Sequence, residues 1–337
     1  MSVPKLLAFF TFVLFAAIAI AGWWKSSAPT SPQQAIVAYA PIEIPLQPAV
    51  KVVDKEKAPA YAPAPLPAPA AFANDTTIEV DRVEELFRTS GKKLPIVETI
   101  VYKSNAPWRK GKPAWLVDYA THFHTSRHFI ARSRNGKPDY LKQELSEGDK
   151  INVFRSDIAL QFNLVVDISR NKLWLYYNDL TNNDRQLIKA YSIGTGRPEA
   201  NSESGILTPV GQYLLGDRIL TFAPGAFNVH KGAKVEMVRV FGTRWIPFAK
   251  EIGPSTAPAQ GYGIHGVPWK ENERGELAED TSSLGKYLSD GCIRLSTKDM
   301  EEIYAIVITK PTVVEIVRDY NEAVFPKVDT VAVSKKE

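Results

Sequence analysis

The feature that most constrains this fold is a series of short apolar segments between residues 162 and 318 that have the pattern of β-strands. Residues 162–168 (FNLVVDI) and 172–177 (KLWLYY) alternate between two faces around a short turn, and residues 186–194 and 206–215 continue the series. Short strands at regular spacing indicate a sandwich or a barrel-like sheet rather than strands that alternate with helices. We therefore expect a mainly β (α+β) domain over residues 159–319, with few helices.

Three further elements are expected in the same half of the chain. Residues 234–248 have the pattern of a hairpin with Gly242 in its turn. Ser296 is a candidate helix N-cap, because Asp299 follows three residues later and an apolar stripe continues from there. Residues 312–317 have the pattern of a final strand.

The first 25 residues have the character of a membrane segment. Residues 6–24 carry no charge, and at about 1.5 Å per residue they would span roughly 28 Å, close to the hydrocarbon thickness of a bilayer. An A-x-A sequence at 19–21 also fits the cleavage site of a signal peptide. Two tryptophans before Lys25 favour the uncleaved anchor. Both alternatives predict that the rest of the chain leaves the cytoplasm.

A linker and a small domain separate this segment from the β-rich half. Ten of the 24 prolines fall in the linker predicted at 26–76, a composition typical of an extended polyproline spacer. Residues 77–158 are expected to form a small α+β domain, and residues 320–337 a loose tail. The expected elements of the small domain are helices at 78–88 and 120–132 and strands at 96–102, 114–117 and 150–154.

Three of the five histidines lie in this small domain. On a helix, His124 and His128 share a face whereas His122 points away from them, so a shared metal ion is disfavoured and no metal or other cofactor is predicted. The run YATHFHTSRHFIARSR at 119–134, followed by LSEGDKINVF at 145–154, resembles the second half of a LysM module. That resemblance implies contact with glycan strands.

Net charge and cysteine count restrict the class of function further. The formal net charge of +4 is too small, and too evenly spread, to indicate a nucleic-acid partner, but it suits an anionic polymer such as cell wall. Cys292 is the single cysteine of the chain. A lone thiol in an oxidising compartment has no partner for an internal disulfide, so either it is a small buried apolar side chain or it is kept for its chemistry.

The sequence around Cys292 favours chemistry. It lies in Ser289-Asp290-Gly291-Cys292-Ile293-Arg294, where Gly291 allows close approach of a substrate and successive amides could bind an oxyanion. Arg294 adds a fixed positive charge suited to a carboxylate. A thiol attacks as its thiolate and needs a base nearby. The candidate base is His265, which lies between Gly263 and Gly266; His230 is expected to be structural or part of the cleft wall.

Together these segments resemble the motifs of a known catalytic domain. Residues 162–318 resemble the L,D-transpeptidase (YkuD-like) catalytic domain through the first hairpin, SIGTG at 192–196, TPVG at 208–211, the His-Gly pair at 265–266 and S-x-G-C-x-R at 289–294. The resemblance implies a YkuD-like β-sandwich or barrel-like fold and acyl transfer on the stem peptides of peptidoglycan, with the catalytic domain in the periplasm or wall.

The resemblance also implies residue roles. Cys292 would attack the carbonyl of an L-centre-to-D-centre bond, release terminal D-alanine and form a thioester, with His265 as the base. The amides of Gly291 and Cys292 would stabilise the oxyanion, Ser289 and Gly266 would shape the cleft, and Arg294 would hold a substrate carboxylate or brace the loop. An amine from another stem would then resolve the thioester.

Two departures from the family pattern leave alternatives open. The family commonly has His where this chain has Asp290, whose charge would oppose a thiolate unless it faces away or orients His265. The insertion at 269–282 (WKENERGELAEDTS) is expected to be a lid or a solvated surface loop. An L,D-carboxypeptidase that uses water, or a wall-binding protein with a disabled site, would fit the same sequence.

Overall fold

The structure, a computed structural model, describes residues 80–140 and 144–324. The predicted membrane segment at 1–25, the linker at 26–76 and most of the predicted tail lie outside these residues. Within the described ranges, no helix is both long enough and apolar enough to cross a membrane.

The described residues contain few helices and many short strands. The helices are α1 Glu84–Phe87, α2 Leu116–His122, α3 Arg127–Asn135, α4 Val238–Phe241 and α5 Thr297–Val307. The strands are β1 Val97–Val101, β2 Lys150–Phe154, β3 Leu160–Asp167, β4 Lys172–Asp179, β5 Asp184–Ser192, β6 Thr195–Gly196, β7 Gly211–Leu215, β8 Leu220–Thr221, β9 Phe227–His230, β10 Ala233–Glu236, β11 Arg244–Ser255, β12 Gly263–Gly266, β13 Trp269–Glu271, β14 Leu277–Glu279, β15 Tyr287–Ser289, β16 Ile293–Leu295 and β17 Thr312–Val317.

Nine of these strands form one mixed sheet. Its order is β16-β12-β11-β7-β17-β3-β4-β5, with β8 paired to β11 off this path. The long strand β11 changes partner along its length: Trp245 pairs with His265 of β12, whereas Phe248 pairs with Leu215 of β7. The sheet therefore curls at β11. The prediction of a mainly β domain with few helices is confirmed, in the form of a curled sheet.

Helix α5 covers the core face of this sheet. The Ser296 hydroxyl accepts the Asp299 amide hydrogen at 3.1 Å, as expected for an N-cap. Met300, Ile303 and Ile306 are fully buried in the main core. The predictions of this helix and of the strand after it (β17) are confirmed.

The segment before the sheet shares part of that core. Strands β1 and β2 pair antiparallel and, with α2 and α3, enclose a small cluster of their own. Phe129 and Phe154 instead belong to the main core, where the Phe154 ring lies 5.7 Å from that of Phe162. The Ser126 hydroxyl also donates to the Ala305 carbonyl of α5 at 2.7 Å. Buried contacts thus run continuously from this segment into the sheet.

Two predictions in this segment are wrong. Residues 114–117 do not form a strand, because the Trp115 amide donates to the Asp118 carboxylate at 2.7 Å and starts α2. The helix predicted at 120–132 is two helices, since the backbone turns left-handed at His124 (φ 45°) and Ser126 caps the second. Short-range polar capping outweighed the apolar pattern in both places.

The hairpin predicted at 234–248 is also wrong. The actual hairpin is β9–β10, whose turn at Lys231-Gly232 has positive φ at both residues. The short helix α4 follows, and Gly242 (φ 61°) ends that helix instead of turning a hairpin. The insertion at 269–282 contains a second surface hairpin, β13–β14.

Candidate active site

Cys292 lies in a tight turn between β15 and β16. Gly291 has φ +113°, and a Cβ at that position would lie 2.8 Å from the Leu207 carbonyl oxygen and 2.6 Å from the Tyr262 ring, so only glycine fits. The Ser289 hydroxyl accepts the Gly291 amide hydrogen at 3.0 Å and donates to the Cys292 carbonyl at 2.6 Å. Ser289 therefore closes this turn from within.

Thr208 fixes the same turn from outside. Its buried hydroxyl donates to the Gly291 carbonyl at 2.8 Å and accepts the Gly196 amide hydrogen at 2.7 Å. Strand β6, which contains Gly196, pairs parallel with β15. The two motifs at 192–196 and 208–211 thus meet behind the cysteine, a role that their spacing alone did not indicate.

Strand β12 brings His265 beside this turn. It pairs parallel with β16, with His265 opposite Arg294 and Ile264 opposite Ile293. Strand β16 begins directly after Cys292, so this pairing brings His265 close to the Cys292 turn, with His265 and Arg294 on the same face.

The His265 ring is buried, oriented and neutral. Its exposure is 3%, and Nδ1 lies 2.7 Å from the Gly266 carbonyl oxygen. Because a carbonyl only accepts, Nδ1 of the neutral ring carries the proton, and the backbone of Phe241 also forms a hydrogen bond with the ring. Burial, and then the charge of Arg294, lower the pKa of His265 to about 3. The imidazole is therefore a neutral base at pH 7.

The Cys292 thiol is half-buried and neutral as well. Its sulfur lies 3.7 Å from the Gly261 carbonyl oxygen and packs against a cluster that includes Phe241. Burial raises the pKa of Cys292 to about 11, opposed by the Gly263 amide and by Arg294. Phe241 also places its ring edge-on to His265, at 5.3 Å between centroids. Among the described residues, no hydrogen bond joins the Cys292 thiol to the His265 ring.

Asp290 points to two cations instead of to the imidazole. Its carboxylate forms an ion pair with Arg197 and another with Lys231, at 3.3 Å. The side chain is 59% exposed, and its pKa is lowered, first by the bond to Arg197. Asp290 therefore faces away from His265, whose orientation comes from the Gly266 carbonyl.

The remaining predicted residues line the same region. The Arg294 Nε is buried without a hydrogen-bond partner, and within residues 80–140 and 144–324 its guanidinium forms no ion pair. Burial lowers the pKa of Arg294. Gly266 holds the His265 ring through its carbonyl oxygen. Its backbone also lies close to Gly242, because a Cβ placed on Gly266 would be 3.4 Å from the Gly242 Cα. The Gly291 amide, predicted to bind an oxyanion, already donates to Ser289, whereas the Cys292 amide has no such partner among the described residues.

Four residues near the thiol were not found from the sequence as parts of the site. Arg197 and Lys231 hold Asp290, Tyr262 covers Gly291, and Phe241 packs against the His265 ring in the cluster that the thiol borders. They come from separate segments and belong to no motif. The one local signal in the sequence for any of these four residues is that Tyr262 directly precedes the GIHG segment at 263–266.

The described residues contain no group of three His, Cys, Asp or Glu side chains that could hold a metal ion. His122 stacks on Trp108 with centroids 4.2 Å apart, and His128 is buried next to Asp139, where burial lowers its pKa to about 4. His230 lies edge-on to the Phe241 ring, with centroids 5.4 Å apart.

Comparison with known proteins agrees with this geometry. Residues 161–316 match the YkuD family model, the L,D-transpeptidase catalytic domain. The YkuD protein of Bacillus licheniformis is 25% identical over 194 residues, which are 57% of this chain and 87% of that protein.

Two solved structures are also similar. The helical cell shape determining protein Pgp2 from Campylobacter jejuni matches with a TM-score of 0.33 and 20% identity, over 50% of this chain and 51% of that one. Bdellovibrio bacteriovorus Bd1075 matches with a TM-score of 0.30 and 15% identity, over 47% of each chain. The present chain thus spans about half the length of these two structures.

Proposed function

We propose that this protein is a peptidoglycan L,D-transpeptidase that acts on stem peptides through a thioester at Cys292. One observation carries the proposal. The single cysteine lies in a glycine turn whose following strand pairs with the strand of a buried neutral histidine. This arrangement supplies a nucleophile and a base from two separate segments.

In the first step, the Cys292 thiol turns from the Gly261 carbonyl towards His265 by rotation about its Cα–Cβ bond. The sulfur attacks the carbonyl carbon of the L-centre, and the thiol proton passes to Nε2 of His265. The C–N bond to terminal D-alanine then breaks, and the imidazolium returns the proton to the departing amine. The Cys292 amide, which has no acceptor within residues 80–140 and 144–324, supports the oxyanion.

In the second step, an amine from another stem attacks the thioester. His265 takes a proton from this amine, the C–S bond breaks, and the thiolate recovers the proton. Burial raises the pKa of Cys292, and the charge of Arg294 opposes that rise and so favours the thiolate in both steps. Gly266 and Ser289 act through position: Gly266 orients the imidazole and Ser289 shapes the turn.

The proposal includes the cellular location. Stem peptides lie outside the cytoplasmic membrane, so the predicted membrane segment at 1–25 would carry the catalytic domain to the periplasm or wall. The middle segment would contact glycan strands, and the exposed Trp108 and Trp115 support such a role because aromatic faces stack on sugars.

The test uses the full-length chain with a stem peptide that ends in D-alanine. We expect release of D-alanine and, with an amine acceptor present, a cross-linked dimer by mass spectrometry; Cys292→Ala should give neither. Shortened stems without dimers would assign a carboxypeptidase. No release of D-alanine from a correctly folded chain would overturn the enzymatic proposal and leave wall binding.

A further inference from the structure

Two cations and one carboxylate form an ion cluster at the rim of the site. Arg197 follows β6, Lys231 lies at the tip of the β9–β10 hairpin, and Asp290 belongs to the Cys292 turn. Both cations bond to the same carboxylate, one to each oxygen. Two positive charges and one negative charge leave the cluster with a net charge of one positive.

This cluster borders the reacting sulfur. Asp290 is two residues before Cys292, and the Arg197 amide donates to the Ser289 carbonyl at 3.0 Å, which fixes the Arg197 backbone beside the same turn. The charges of Lys231 and Asp290 both act on the pKa of Cys292, in opposite directions. A substrate group bound here would lie next to the attacked carbonyl.

The cluster also retains hydrogen-bond donors. A guanidinium has five N–H groups and an ammonium has three, and each gives one of them to Asp290. The side chains of Arg197 and Lys231 are 56% and 60% exposed, so the other donors are accessible from solvent. A second carboxylate is the ligand that such a pair fits.

We propose that Arg197 and Lys231 form a carboxylate subsite that selects the donor stem, and that Asp290 holds the two cations in place while competing with the substrate for them. The proposal rests on the proposed function, because it takes the stem peptide as the ligand. Asp290 thereby acts as a specificity-determining residue: an incoming carboxylate takes over the donors that Asp290 shares. Two carboxylates of a stem could bind here, the one at the terminal D-alanine and one elsewhere in the stem.

The experiment measures binding separately from turnover. The full-length chain with Cys292→Ala, which cannot be acylated, is titrated by calorimetry with three stem peptides. One has all carboxylates free, one ends in a carboxamide, and one has a free end but internal carboxamides. The peptide whose affinity falls identifies which carboxylate binds.

Variants of the cluster give the decisive comparison. Arg197→Gln and Lys231→Gln should each weaken binding of the free-carboxylate stem roughly threefold, and together about tenfold, without affecting the stem that lacks the bound carboxylate. Asp290→Asn, which removes the competing anion, should tighten binding of the free-carboxylate stem a few-fold. Lys234→Gln is the matched control, because it lies on the same hairpin over the Phe227 ring and forms no ion pair among the described residues.

The outcomes are distinct. Equal affinity of all three stems for the Cys292→Ala chain, or equal loss in Lys234→Gln and Lys231→Gln, would overturn the subsite. If the chain with Cys292 intact releases no D-alanine but still binds the stem in a carboxylate-dependent way, the proposed function is overturned and the subsite stands. Both cations are exposed, so their replacement by Gln should leave the fold intact, and circular dichroism checks this.

Discussion

At the scale of residues, the candidate pair consists of two neutral groups. Burial raises the pKa of Cys292 to about 11 and lowers that of His265 to about 3. At neutral pH the resting site therefore holds a thiol and an imidazole, not a thiolate and an imidazolium. Proton transfer must then accompany attack on a substrate, and partial burial limits oxidation of the thiol until then.

This pairing predicts an unusual pH dependence. The raised pKa of Cys292 means that the thiolate fraction, and with it the rate of alkylation by iodoacetamide, should still be rising as the pH passes about 9. The lowered pKa of His265 means that the base stays neutral at about pH 5, so carbapenem acylation should have no acid limb near pH 6.5. Stopped-flow rates across this range check both. A plateau of alkylation through neutral pH would instead indicate a resting ion pair.

At the scale of elements, the site depends on short segments held by single hydrogen bonds. Thr208 joins the Gly196 amide to the Gly291 carbonyl, and these link β6 to the Cys292 turn. Tertiary bonds of this kind connect residues 12 and 83 positions apart. They decide where the thiol lies, although the strands that carry them are two or three residues long.

Thr208→Val, which keeps the shape and removes the hydroxyl, tests this connection. It leaves a buried carbonyl and a buried amide unpaired, so we expect a loss of about 1–3 kcal/mol in unfolding free energy. We also expect carbapenem acylation to slow by at least tenfold, because Gly291 is released. Thr312→Val is the control, since Thr312 is buried and its hydroxyl donates to the Lys310 carbonyl, not to the Cys292 turn. Equal slowing in both variants would argue against a positioning role for Thr208.

The sequence predicted those elements whose signal is local. The helix after Ser296 and the strand after it have a cap, an apolar stripe and a bounding proline within one segment. The hairpin predicted at 234–248 is wrong, because the apolar residues there pack into the cluster around Phe241 and β10 pairs with β9; the sequence pattern alone could not show this. In the site, Cys292 and His265 stood out by motif. The roles of Arg197, Lys231 and Thr208 in the site could not be predicted, because only the folded chain brings these residues to the Cys292 turn.

At the scale of the molecule, the middle segment and the curled sheet share one core. Phe129 and Phe154 pack with Phe162 of β3, and α3 contacts α5 through Ser126 and through the ion pair of Arg132 with Glu301 at 3.6 Å. Such continuity makes separate unfolding of the two parts unfavourable.

Phe154→Ala tests this coupling. Removal of the buried ring should lower the unfolding free energy by roughly 3–5 kcal/mol, because a cavity opens where the two parts meet. We expect far-UV circular dichroism and tryptophan fluorescence to report one coincident transition in the unchanged chain and in the variant. Phe123→Ala, at the edge of the smaller cluster, should cost much less. Two separated transitions in the unchanged chain would contradict a shared core.

The central claim is that Cys292 becomes acylated with the help of His265, and intact-mass spectrometry after carbapenem treatment tests it most directly. We predict one adduct per full-length chain, mapped to the Cys292 peptide and absent in Cys292→Ala. His265→Gln should slow its formation by about 10²-fold or more, since the general base is gone. A chain that stays unmodified, an adduct on another residue, or an unchanged rate in His265→Gln would contradict the account.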